Sequence, residues 1–76
     1  MHQLSNMGLV RLKIRELAKD KGWTLKEVSD RSGVIYSTVR IYARRPGMMT
    51  VDFTAIHKLA RTFDVTIENF VEILEE

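Results

Sequence analysis

Apolar residues recur along the chain at helical spacing, in blocks divided by residues that cap or break helices. Val10, Ile14 and Leu17 form the first stripe, flanked by Met7 and Ala18, and predict a helix over about residues 7–21. Gly22 ends it, being suited to the left-handed C-terminal position. Leu9 and Leu12 fall off the stripe. Leu12 shares a face with Arg15, Glu16 and Lys19, so it is expected at the surface. Thr24, followed three residues later by Glu27, makes a capping box for a second helix over Leu25 to Arg31, and Trp23 is placed to pack over Val28 as a hydrophobic staple. Ser32-Gly33 closes that helix at a sharp turn.

The third predicted helix runs from Tyr36 to Arg44, with Val39 and Tyr42 facing inward and Tyr36, Ser37, Arg40, Ile41 and Arg44 around the other faces. It is rich in β-branched residues, so packing rather than propensity must hold it. Arg45 to Val51 reads as a loop around Pro46-Gly47. Asp52 caps a fourth helix, about Phe53 to Phe63, whose stripe of Phe53, Ile56, Leu59, Ala60 and Phe63 is the most regular in the chain. Thr66 caps a fifth, about Ile67 to Glu75, with Ile67, Phe70, Val71 and Leu74 on one face. The reading is all-α: five short helices and no strands. Residues 1–6 have no periodicity and are expected to form a flexible tail before a single domain over 7–76.

Composition narrows the class. Seventy-six residues leave no room for a second core, and 45% apolar with 29% charged residues is ordinary for a globular domain. The chain has no cysteine, which removes disulfides and thiolate metal sites, and its apolar runs are too short to span a bilayer. A cytosolic location is the expectation. The net charge of +2 conceals a division: all twelve Lys and Arg lie at or before Arg61 with five carboxylates, whereas five carboxylates and no base follow from Asp64 onward. Such asymmetry draws a polyanion to one side and repels it from the other.

Two short helices joined at Gly33, the second carrying exposed polar side chains and an Arg pair, have the layout of a helix-turn-helix. The order and spacing of several short matches add to this. They are Ile14-Arg15-Glu16-Leu17, Lys21-Gly22-Trp23-Thr24, Glu27-Val28-Ser29, Ser32-Gly33-Val34, Ser37-Thr38-Val39 with Tyr42, and Leu59-Ala60-Arg61-Thr62-Phe63-Asp64-Val65. Over about Ile14 to Phe70 the chain resembles the Cro/cI-type (XRE) helix-turn-helix family of phage and bacterial repressors. That resemblance implies a compact, lambda repressor-like bundle of five helices that binds duplex DNA, with the motif's second helix in the major groove.

Carried over by position, Tyr36, Ser37, Thr38, Arg40 and Ile41 are the base-contact candidates. Arg40 suits the O6 and N7 of guanine, and Ile41 a thymine methyl. Thr24, Lys26, Arg44 and Arg45 are the phosphate candidates. The sequence departs from the family at Leu25, where a phosphate-binding Gln is usual, at Ile35, where a small N-cap is usual, at Ala43, where Glu is common, and at Asp64, where glycine is usual. The resemblance also implies a two-fold homodimer. The C-terminal helix is the expected interface, with Phe70, Ile73 and Leu74 as candidates.

Other functions find little support. His57 has no second ligand at metal-binding spacing, and Phe53, Phe63 and Phe70 read as core rather than as a base-stacking platform. No nucleophile with a base and an orienting partner can be assembled, and no cofactor is implied. The rival class is a protein-interaction module, such as an antitoxin or adaptor that keeps the fold but reads a protein.

Overall fold

A computed structural model describes residues 10–44 and 51–73 as five helices and one small sheet. In chain order these are β1 (Val10–Leu12), α1 (Ile14–Lys21), α2 (Leu25–Ser32), α3 (Tyr36–Arg44), α4 (Phe53–Phe63), α5 (Ile67–Phe70) and β2 (Val71–Ile73). The proposed tail at 1–6, the flanking Met7 and the off-stripe Leu9, the loop residues 45–50 and the stretch 74–76 lie outside the described residues.

Two helix assignments are corrected at the sheet. Over Val10–Leu12 the first predicted helix is a strand instead, and the fifth stops at Phe70 and gives way to a strand over Val71–Ile73. β1 and β2 pair antiparallel, with Val10 opposite Ile73, Arg11 opposite Glu72 and Leu12 opposite Val71. Each strand alternates apolar, charged, apolar, so one face of the sheet is apolar and the other charged. Leu12, expected at the surface, is therefore in the core at 2% exposure. The Lys13 N–H extends the ladder by donating to the Phe70 carbonyl at 3.0 Å.

On the charged face, Arg11 donates from Nε to Glu72 at 2.9 Å and from Nη2 to Glu16. One guanidinium thus ties the two strands to the first turn of α1. The hydrogen bond from Arg11 holds the Glu16 carboxyl below its ordinary pKa, and the same bonds raise that of Arg11. Part of the C-terminal acidity foreseen from the sequence is neutralised here.

α2, α4 and α5 begin, and α1, α2 and α4 end, at capping residues. Gly22 (φ 76°) and Gly33 (φ 79°) take the left-handed conformation after α1 and α2. Asp64 takes it after α4 at φ 60°, a position that a short polar side chain tolerates better than most. The capping box of α2 is complete: Thr24 Oγ1 accepts from the Glu27 N–H at 3.1 Å, and Glu27 accepts from the Thr24 N–H at 2.9 Å. Asp52 and Thr66 cap α4 and α5 through the N–H groups of Thr54 and Asn69.

The core gathers Leu12, Ile14, Val28, Val39, Leu59, Phe63 and Phe70 from every described element except β2, whose Val71 packs against it. Trp23 stacks on Phe63 (centroids 5.7 Å apart), which lies against Phe70 (6.0 Å). An aromatic row thus runs from the α1–α2 junction to the start of β2, and Arg31 covers the outer face of Trp23 at 4.4 Å. The buried stripe of α4 is Ala55, Ile56, Leu59, Ala60 and Phe63. Phe53, expected among them, lies at the margin of that stripe in the helix's first turn and is 66% exposed, its ring beside that of His57.

Candidate nucleic-acid interface

The turn between α2 and α3 is built from short-range bonds. Ser29 Oγ donates to the Val34 carbonyl at 2.6 Å, the Val34 N–H donates to Ser32 Oγ at 3.1 Å, and the Gly33 N–H donates back to the Ser29 carbonyl at 2.9 Å. Val34 is buried directly after the turn, as is Val28 on α2. The angle between the helices is therefore held on both sides, by hydrogen bonds at the turn and by apolar contact beneath it.

Burial divides α3. Val39 is fully buried and Tyr42 half-buried, while Tyr36, Ser37, Arg40 and Ile41 are exposed and Thr38 lies between the two groups. The four exposed side chains lie on two adjacent turns of one helix. The Arg40 guanidinium stands 5.8 Å from the Tyr36 ring, close enough for a cation–π attraction that limits its wandering. Tyr42 Oη accepts the Asp52 N–H at 2.9 Å, which links α3 to the start of α4.

Ile35 precedes this surface and is 72% exposed. From the sequence it stands out only as a missing cap. Its carbonyl does accept the Val39 N–H at 3.0 Å, but its side chain has no oxygen to offer the helix start. With Tyr36 and Ile41 it gives the exposed side of α3 an apolar component. The signal was present in the chain: a β-branched apolar residue at a position that neither caps nor faces inward.

The phosphate candidates are distributed as follows. Thr24 stands at the start of α2 with its oxygen engaged in the cap, leaving its hydroxyl proton for a further acceptor. Lys26 is exposed and lies 3.9 Å from Asp30, one helical turn along. Arg44 is the last residue of α3; its side chain and Arg45 lie outside the described residues. Leu25, at the position that departs from the family, is half-buried and packs on the core. Of the three residues considered for self-association, Phe70 is fully buried within its own chain, Ile73 is 60% exposed and Leu74 lies outside the described residues.

Two helices set by a bonded turn, the second presenting an exposed face of polar and apolar side chains, define a helix-turn-helix domain. The chain belongs to the family of Cro/C1-type HTH DNA-binding domains, whose model matches residues 13–76. DNA is accordingly its ligand class, with transcriptional regulation as the setting. Neither the curated proteins nor the solved structures gave a match. Among the described residues there is no helix long and apolar enough to cross a membrane and no group of three His, Cys, Asp or Glu placed to hold a metal ion.

Proposed function

We propose that the protein is a cytosolic repressor, without catalytic activity, that occupies an operator by laying α3 in the major groove. The observation that carries this reading is the division of α3, with Val39 in the core and Tyr36, Ser37, Arg40 and Ile41 open beside it. Arg40 reads guanine by a forked contact, Ile41 meets a thymine methyl, and Tyr36, Ser37 and Thr38 supply hydroxyls. Thr24, Lys26, Arg44 and Arg45 hold the backbone and fix the register. The operator is a two-fold site with half-sites roughly 34–36 Å apart, bound by a homodimer. Ile73, exposed on β2, supports association through the C-terminal part of the chain.

Selection of duplexes from a random pool at two salt concentrations tests this. A palindromic site whose affinity falls steeply with salt is the expected outcome. A protein that binds no duplex at about 50 mM salt is not a DNA-reading repressor. A second reading, a module that binds a protein, draws on one observation: Val10, Val51, Ile56, Ile67, Val71 and Ile73 line an apolar groove of about 510 Å³ between the sheet and α4–α5. Recovery of a stable protein complex that excludes DNA would favour it.

A further inference from the structure

A cationic strip on α4 continues from the helix-turn-helix, and none of the side chains proposed above to contact DNA lies on α4. Thr54, His57, Lys58 and Arg61 are exposed at helical spacing, so they share one face. With Ser32 and Thr62 they line an open cleft of about 480 Å³ whose described lining holds no carboxylate. A second cleft, of about 220 Å³, shares Lys58 and Thr54 with the first and reaches Gly33, Val34, Ile35 and Thr38. Lys58 therefore stands between the turn that sets the recognition helix and the rest of the α4 face.

Among the described residues, no carboxylate pairs with the Lys and Arg of this strip. Lys58 and Arg61 enter none of the three ion pairs found among the described residues, which are Arg11–Glu16, Arg11–Glu72 and Lys26–Asp30. Asp52, on the wall of the second cleft, is already used by the Thr54 N–H at 3.1 Å. The Ser32 and Thr62 hydroxyls donate to backbone carbonyls of their own helices, so they shape the cleft without supplying its charge. Two exposed cations three residues apart stand about 5–6 Å from one another at Cβ, within reach of one phosphate or two neighbouring ones.

We infer that Lys58 and Arg61 bind the phosphate backbone of the same DNA whose bases α3 reads, as a second anchoring point outside the motif. This rests on the proposed reading of α3 as the groove-binding helix. The contact carries no base preference, so it adds affinity and salt sensitivity equally on every sequence. An acidic protein segment is the other partner such a strip would fit, and its continuity with the recognition turn is what favours DNA.

The test measures duplex affinity against salt concentration for the parent chain, for Lys58→Gln with Arg61→Gln, and for Lys58→Arg with Arg61→Lys. Each preparation is checked by thermal unfolding. The neutral variant should show a log–log slope smaller by about one to two units on both operator and random duplex, with the ratio between them kept. The charge-preserving variant should keep the parent slope. If the neutral variant is folded and keeps the parent slope while the parent binds DNA, this inference fails and the function proposed above stands. If the parent binds no duplex, both fall. A neutral variant that loses only the operator preference also overturns the inference, because the strip would then be reading bases.

Discussion

The hydroxyl of Tyr42 accepts the backbone N–H of Asp52 at 2.9 Å, so the last turn of α3 is bonded to the N-cap of α4. A side chain whose ring packs on the core thereby also sets where α3 ends relative to the next helix. Tyr42→Phe keeps the ring and removes the bond. It should lower stability by about 0.5–1.5 kcal/mol, measured by urea unfolding. DNA affinity should fall with base preference intact, since the exposed side chains of α3 are unchanged. No change in either would mean that the ring alone positions the helix.

Leu12 distinguishes the sheet from the helix that local periodicity suggested. At 2% exposure it packs with Ile14 and Phe70 in one core cluster, and Leu12→Ala should cost about 2–5 kcal/mol. On an exposed helix face the same change would move stability by less than about 0.5 kcal/mol. Chemical denaturation of the two chains separates these outcomes.

Glu16 makes stability depend on pH in a predictable direction. Its carboxyl is held below the ordinary value, chiefly by the hydrogen bond from Arg11. The folded state therefore favours the charged form more than the unfolded state does. The resulting contribution is present above the unfolded glutamate value, about 4.3, and is lost as pH falls through the lower folded value. Melting temperatures between pH 7 and pH 3 should fall less in Glu16→Gln than in the parent. Because Glu16 is half-exposed, the difference should be modest and should shrink further in high salt.

On the proposed interface, Arg40→Ala should relax preference at one base pair, a discrimination of about 1–3 kcal/mol, while leaving the others. Uniform weakening would make Arg40 a phosphate contact. Ile41→Ser removes the apolar side chain proposed to meet a thymine methyl, and should reduce preference at a thymine without altering the salt slope. Selected-site sequencing of each variant reads both.

Much of this domain was legible in local sequence because helix boundaries depend on residues within a few positions of one another. Thr24 with Glu27, Gly33 after Ser32, Asp52 before Phe53 and Thr66 before Ile67 all act over one turn, so their chemistry is visible in the chain itself. The same holds for α3, where the spacing of Val39 and Tyr42 separates the inward face from Tyr36, Ser37, Arg40 and Ile41.

What the tertiary structure decided is whatever depends on partners far along the chain. Val10–Leu12 and Val71–Ile73 are each three residues long, too short for a period of two to outweigh a helical stripe, and each becomes a strand only because the other lies beside it. Arg11 and Glu72, 61 residues apart, meet for the same reason. Leu12 was buried and Phe53 exposed by which elements came to cover them, a matter of packing that local pattern does not contain. The nearness of Lys58 to the α2–α3 turn likewise exists only once α4 has folded back against α2. The sequence by itself determined the caps, the turn and the faces of the longer helices, because those are local; the sheet, the edges of the core and the reach of the cationic surface came from long-range contact.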